Sequence, residues 1–247
     1  MTWVRLLFPL PLLLAALPVA RLTPQASAAF DRYVAQAEAR MPDHPPHDRE
    51  LRIAAVDAAR NVDAPEAMIQ DWVGTMFLPG ATLDQVQAAL RDYAHYKDFY
   101  SPRVIESREF SHHGDDCGVF LRLYEKHFLT VVLNTTYQVH YETPDAKHLL
   151  VTSRSTHVGE VKDPGKSYTE EEPQGLDSGL LWRLNSYWRF EAADGGVYGR
   201  CEAISLSRNV PAGLGWMLRG FLEGFAKESM RNTLLGTRAG VAQHPAQ

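Results

Sequence analysis

Residues 182–190 read WRLNSYWRF and residues 199–205 read GRCEAIS, and the predicted architecture follows from these two segments. In the first segment alternate residues share one strand face: Trp182, Leu184, Ser186, Trp188 and Phe190. A two-residue turn within Asp194-Gly195-Gly196 places small residues opposite them: Gly199, Cys201, Ala203 and Ser205. Large side chains facing small ones suit a curved sheet that holds aromatic rings against an interior helix. A three-residue turn would reverse the faces.

The hairpin ends a longer series of strands. Alternating Val, Leu, Thr, Tyr and Trp, interrupted by turn residues, predict antiparallel strands near 103–110, 118–128, 129–141, 147–161, 179–191 and 197–207. A further strand is predicted from Met68 to Leu78. The acidic, Pro- and Gly-containing segment 163–178 is predicted to be a loop.

Helices are predicted on both sides of this strand-rich region. Thr82 and Gln85 form a capping-box pattern, after which apolar residues recur at helical spacing to about residue 100. Residues 214–235 carry one wide apolar face over a length of roughly 33 Å, enough to lie across a sheet. Gly240 is a plausible stop for that helix.

The N-terminal segment is typical of a secretory signal. Its apolar run of about fifteen residues would span roughly 22 Å as a helix, less than a bilayer core. The pattern Ala26-Ser27-Ala28 predicts cleavage after Ala28, and hence a periplasmic or secreted protein without a membrane span. An uncleaved anchor is the alternative. Residues 29–65, with helix-forming residues 30–40 and a proline-rich stretch, are interpreted as an N-terminal arm and linker.

Composition limits the remaining possibilities. The chain has 247 residues, of which 45% are hydrophobic and 22% charged, as in one globular domain, placed here at residues 66–240 with a disordered tail from 241. The formal charge of −5 argues against a nucleic-acid partner. Cys117 and Cys201 fall on non-neighbouring strands and are predicted to be unpaired, buried thiols. Oligomeric state is not predicted.

The order of elements, with the segments FLPGATLDQV at 77–86, GLLWRLNSYWRF at 179–190 and CEAISLSR at 201–208, resembles the START-like (SRPBCC) superfamily. Within it, the segments are similar to exported bacterial proteins grouped with polyketide cyclase/dehydrase and coenzyme Q-binding START-type proteins. The resemblance implies an α+β helix-grip fold, in which a curved seven-stranded antiparallel sheet wraps around the long C-terminal helix. It also implies a tunnel between sheet and helix for apolar or amphipathic small molecules.

Aromatic and aliphatic residues are the candidate lining of that tunnel. The predicted ligand-binding residues are Tyr93, Tyr96, Trp182, Leu184, Trp188, Phe190, Phe221 and Phe225. The same residues could simply fill the core, an alternative that stays open at this point.

Metal and catalytic sites find less support. His112, His113, Asp115 and Asp116 crowd a hairpin tip from which side chains diverge, and His44 and His47 lie in the proline-rich linker, so no metal site and no cofactor are predicted. Strand residues that could reach the tunnel as acids or bases are His127, His140, His157 and Glu160. Each is more simply a surface or structural residue, and no catalytic residue is assigned.

Three functions remain. The first is non-catalytic binding or transfer of a hydrophobic small molecule, such as a lipid, quinone or polyketide-like compound. The second is a cyclase or aromatase-type enzyme acting on a polyketide-like substrate, with Arg183, Tyr187 or a strand histidine polarising a carbonyl. The third is a protein-interaction module that uses the N-terminal arm and the acidic loop, which requires a filled cavity.

Overall fold

The computed structural model describes residues 21–61, 67–126, 130–173, 175–209 and 215–245, with residues 57–61 and 215–223 described by their backbone alone. The predicted signal run of residues 1–20 lies outside the described residues. Within them, no helix has both the length and the apolar character needed to cross a membrane.

The chain forms an open antiparallel sheet of eight strands. In spatial order the strands are β1 (Arg52–Asn61), β2 (Ala67–Pro79), β8 (Gly196–Arg208), β7 (Arg183–Ala193), β6 (His148–Glu160), β5 (Thr130–Asp145), β4 (Asp116–Lys126) and β3 (Val104–His113). The predicted number of seven strands was wrong. The additional strand, β1, lies in the segment interpreted as a linker, where only the pairing with β2 along the sheet edge reveals it.

The β7–β8 hairpin has the predicted register. Asp194 and Gly195 form a two-residue turn with φ of 53° and 75°, the left-handed values that such a turn requires. Phe190 therefore faces Gly199, and Trp188 faces Cys201. An added Cβ at Gly199 would lie 2.9 Å from Cε1 of Phe190, so glycine leaves the space that the buried ring occupies. The predicted pairing of large and small residues is confirmed.

Helix α2 (Leu83–Arg91) begins where the sequence predicts it. The Thr82 hydroxyl accepts a hydrogen bond from the Gln85 backbone N–H, and the Gln85 side chain accepts one from the Thr82 N–H. A 3₁₀ turn (Tyr93–His95) and the short helix α3 (Tyr96–Phe99) follow and carry the aromatic cluster. These elements position three tyrosines at one end of the concave face of the sheet.

The C-terminal helix α4 (Gly215–Gln243) covers the concave face. Met230 and Leu234 of α4 pack in the same core cluster as Trp188 and Phe190, as a helix-grip arrangement requires. The helix continues past Gly240, the predicted stop. Gly240 instead permits close packing on α3, since an added Cβ there would lie 3.0 Å from Cδ2 of Phe99.

The opposite, convex face of the sheet is covered by helix α1 (Pro24–Arg40). This helix begins at Pro24, six residues before the predicted start and upstream of the predicted cleavage point. Phe30 and Ala37 of α1 pack with Ile204 and Leu206 of β8 in a second core cluster. The sheet is therefore buried on both faces where β2, β7 and β8 run side by side. The proposed domain boundaries stay a prediction.

Both cysteines are buried and unpaired, as predicted. Cys117 lies on β4 and Cys201 on β8. Burial raises the pKa of the Cys201 thiol above its usual range, which argues against a reactive thiolate.

Candidate ligand-binding cavity

The space between the concave face and α4 contains two adjoining chambers. The first has a volume of about 200 Å³ and lies toward α2, α3 and strands β3–β6. The second, of about 180 Å³, lies toward β2 and β8. The two chambers share six lining residues: Leu123, Glu125, Leu184, Ser186, Ser229 and Thr233. They are therefore neighbouring parts of one cavity.

Tyrosines form one wall of the first chamber. The Tyr141 hydroxyl donates to the Leu90 carbonyl at 2.7 Å, so it accepts from the Tyr93 hydroxyl, which is 2.6 Å away. Tyr96 also donates to the Leu90 carbonyl, at 2.6 Å. Burial raises the pKa of all three phenols well above the ordinary value. At neutral pH they are protonated and already paired, which suits an apolar wall better than a proton-accepting one.

Arg103 and Glu125 form the charged feature of the cavity. The Arg103 guanidinium donates to the Glu125 carboxylate at 2.5 Å, and both side chains are buried. Burial raises the pKa of Glu125 to about 7, although Arg103 opposes the shift. The carboxylate of Glu228 on α4 lies 3.7 Å from Arg103. Because Glu125 lines both chambers, this pair lies where they meet.

Sequence reasoning missed this pair, although a signal for Glu125 was present. Val119, Leu121, Leu123 and Glu125 alternate along β4, and all four line the first chamber. A carboxylate that continues a buried apolar face is the kind of residue that period-two parity can identify. Arg103 carries no such signal, since it precedes β3 and reaches the cavity through the fold.

The predicted lining residues divide between three places. Tyr93, Tyr96, Leu184 and Trp188 line the first chamber, and Leu184 also lines the second together with Phe225. Phe190 is fully buried behind the lining, with its ring stacked on Trp188 at a centroid distance of 5.0 Å. The side chain of Phe221 lies outside the described residues.

Trp182 does not lie with the other predicted lining residues. It packs in the cluster beneath α1, on the convex side, and its indole N–H donates to the Asp177 carboxylate at 3.2 Å. Strand β7 begins at Arg183, so the period-two alternation that places Leu184 and Trp188 does not extend to Trp182. Its assignment to the concave face was therefore wrong.

The side chains suggested for carbonyl polarisation also lie elsewhere. Arg183 donates to Asp31 at 2.7 Å, and the Tyr187 hydroxyl donates to Glu38 at 2.7 Å, so both face α1. His140 is exposed beside Asp116, and His157 is exposed beside Glu171. Glu160 accepts from the Ser178 backbone N–H at 2.9 Å, and His127 lies outside the described residues. Among the described candidates, none lines either chamber.

Comparison with solved structures places this geometry. Human STARD10 aligns with a TM-score of 0.57, at 10% identity over 92% of this chain and 83% of STARD10. The fold is START-like. Protein TTHA0849 of Thermus thermophilus shares the START-like fold with a TM-score of 0.51, at 11% identity over 70% of this chain and 98% of its own.

A STAR-related lipid transfer protein fragment from Xanthomonas axonopodis also aligns, with a TM-score of 0.48 and 18% identity over 75% of this chain and 99% of the fragment. No protein-family model matches the sequence, and no curated protein matches it. At these identities the START-like likeness establishes the fold alone.

Proposed function

We propose that the protein binds, or transfers, one hydrophobic small molecule in the cavity between the sheet and α4. The observation that carries the proposal is the mixed lining of the two chambers, which is mainly aliphatic and aromatic with one buried ion pair at their junction. Apolar surface favours removal of a hydrocarbon or ring system from water, and a few polar groups fix its orientation.

The Arg103–Glu125 pair supplies that orientation. A ligand with a carboxylate or carbonyl oxygen would face the Arg103 guanidinium, which offers several N–H donors besides the one that contacts Glu125. The tyrosine hydroxyls of the first chamber are paired with each other or with Leu90. We therefore propose an amphipathic ligand whose apolar body occupies the chambers and whose polar group lies near Arg103.

Displacement of bound ligand by a larger side chain tests this proposal. The full-length protein is titrated with a dansyl-labelled fatty acid, and fluorescence is measured. We expect one-to-one binding by the wild-type protein and at least about tenfold weaker binding by Ser186→Trp, because Ser186 lines both chambers. Lipid extraction and native mass spectrometry of the wild-type protein identify any molecule that copurifies.

Gln138→Trp is the matched control, since Gln138 is exposed on β5 of the same sheet. It should bind the probe as the wild-type protein does. A wild-type protein that binds no probe and copurifies with no small molecule contradicts the proposal. So does equal affinity of Ser186→Trp and the wild-type protein.

A second candidate, cyclase-type chemistry, rests on Glu125. A cavity carboxyl whose pKa is raised to about 7 can exchange a proton with a bound carbonyl compound near neutral pH. The test is incubation with a poly-β-keto thioester and mass spectrometry for a cyclised product that has lost one water. Glu125→Gln should bind the compound and fail to convert it. Absence of conversion by the wild-type protein leaves non-catalytic binding as the sole candidate of the two.

Export to the periplasm or beyond remains part of the proposal. It is supported by the apolar run and the small-residue pattern before residue 29. The two chambers count against the third function, an interaction module, since that function required a filled cavity.

A further inference from the structure

Three potential metal ligands from distant parts of the sequence meet on the outside of the sheet. His148 begins β6 and lies directly opposite Glu191 of β7 in the strand pairing. His44, from the segment that joins α1 to β1, lies over this pair, with its Nδ1 3.0 Å from Nε2 of His148 and 3.8 Å from Oε2 of Glu191. The ligand atoms of the three residues all lie within 4.8 Å of one another.

The spacing fits a zinc-type ion. Imidazole nitrogens and carboxylate oxygens bind Zn²⁺ at about 2.0–2.1 Å, so two ligands of a tetrahedral site lie roughly 3.3 Å apart. The separations of 3.0 and 3.8 Å lie on either side of that value, so small side-chain rotations would place all three ligands around one ion.

Neighbouring residues orient two of the three ligands. The Nδ1–H of His148 donates to the Asp145 carboxylate at 2.8 Å, which leaves its Nε2 lone pair directed at His44. His47 lies 3.1 Å from Oε1 of Glu191 through its Nε2, and its ring stacks on Tyr198 at 4.4 Å. Carboxylate-to-histidine pairing behind a ligand is a recurrent feature of protein zinc sites.

We propose that His44, His148 and Glu191 bind one divalent transition-metal ion of the zinc class, with water completing its coordination. Asp145 and His47 are positioning residues that hold His148 and Glu191. The ion would attach the segment between α1 and β1 to β6 and β7. The sequence predicted no metal here because His44 and His148 are 104 residues apart, and only the tertiary structure brings them together.

The site is independent of the ligand-binding proposal. His148 and Glu191 alternate with Leu149 and Phe190, whose side chains belong to the concave core, so the metal ligands lie on the other face of the sheet. Failure of zinc binding would leave the cavity proposal unaffected, and failure of probe binding would leave the zinc site unaffected.

The test is a calorimetric titration of the full-length protein with ZnCl₂ after removal of metal by EDTA and dialysis. The protein carries no polyhistidine tag, since such a tag would bind zinc. We expect one site in the wild-type protein and at least about tenfold weaker binding in both His44→Ala and His148→Ala. His44→Ala is a mild substitution for folding because the His44 side chain is 62% exposed.

Two control variants locate the ion. His140→Ala removes an exposed strand histidine outside the site, and Cys117→Ser alters the other close group of potential ligands, formed with Glu109 and His112. Both should bind zinc as the wild-type protein does. Substitution of Co²⁺ should give the intense visible absorption of a four-coordinate site in the wild-type protein and not in His148→Ala.

Hydrogen exchange measures the proposed attachment. Zn²⁺ should slow exchange of backbone amides in residues 41–50 of the wild-type protein and leave that segment unchanged in His44→Ala. The proposal is overturned by a wild-type titration without heat of binding, by unchanged affinity in both ligand variants, or by loss of binding in Cys117→Ser instead.

Discussion

Glu125 faces an apolar cavity, and its carboxylate is 2.5 Å from the Arg103 guanidinium. Removal of a carboxylate from water disfavours its charged form, and this effect exceeds the attraction of Arg103, so the pKa rises from 4.5 to about 7. A side chain that would be a surface acid elsewhere thus titrates near neutral pH. The same burial keeps the neighbouring phenols protonated.

This shift predicts a pH dependence of stability. Between about pH 4.5 and pH 7 the folded protein retains the proton that the unfolded chain has lost, so the free energy of unfolding should fall as pH rises. In Glu125→Gln that fall should be shallower, as measured by urea unfolding at several pH values. A residual slope is expected from Asp71, whose pKa is raised to about 6.

Glu142→Gln, at an exposed position on β5, is the control and should keep the wild-type slope. Equal slopes in Glu125→Gln and the wild-type protein would contradict the buried-carboxyl account.

Gly199 gives a second prediction at the scale of one residue. An added Cβ would lie 2.9 and 3.1 Å from the Phe190 ring, which is fully buried and stacked on Trp188. Gly199→Ala should therefore lower the free energy of unfolding by about 1–3 kcal/mol through overpacking. Gly165→Ala, where an added Cβ meets nothing within 4 Å, should change it by less than about 1 kcal/mol. Equal effects would mean that the hairpin has room to spare.

At the scale of elements, α1 attaches to the sheet through both apolar and charged contacts. Arg40 of α1 donates to Asp71 of β2 at 2.5 Å, and Tyr33 donates to the same carboxylate at 2.9 Å. Burial and the nearby Glu202 raise the pKa of Asp71. Because the helix screens these carboxylates from water, its position affects their ionisation.

The start of α1 yields a prediction about the N-terminus. The Thr23 hydroxyl accepts from the Ala26 N–H at 3.1 Å, and Arg183 donates to Ser27 at 3.2 Å. Deletion of residues 1–28 removes Thr23, Ala26 and Ser27, whereas deletion of residues 1–20 retains them. The longer deletion should lower the free energy of unfolding by at least about 1 kcal/mol relative to the shorter one. Equal urea midpoints for the two proteins would show that the helix start contributes nothing.

At the scale of the whole molecule, the sheet separates two differently filled layers. The convex side is closed by α1, whereas the concave side keeps two chambers beneath α4. A molecule that enters those chambers interacts with the folded state alone and should stabilise it.

Thermal unfolding measures that effect. A ligand present at about 100 times its dissociation constant stabilises the folded state by about 2.7 kcal/mol, so the fatty-acid probe should raise the midpoint of the wild-type protein. It should raise the midpoint of Gln138→Trp equally and leave that of Ser186→Trp unchanged. A similar rise in all three proteins would indicate surface binding outside the cavity.

Local signals in the amino-acid order were enough to predict several elements. Alternation assigned the faces of Leu184, Trp188 and Phe190, the Asp194-Gly195 turn set the register of β7 and β8, and Thr82 with Gln85 marked the start of α2. These features depend on neighbouring residues and on the backbone geometry of strands, turns and caps, so they can be predicted without knowledge of the rest of the chain.

Contacts between distant residues became visible only in the folded chain. Folding placed β1 on β2, Trp182 beneath α1, Arg103 beside Glu125 in the cavity, and His44 over His148 and Glu191. Each of these contacts joins segments whose separation in sequence carries no periodic signal. Their formation depends on how the whole sheet curves and which helix covers each face, and that is set by packing of the complete core.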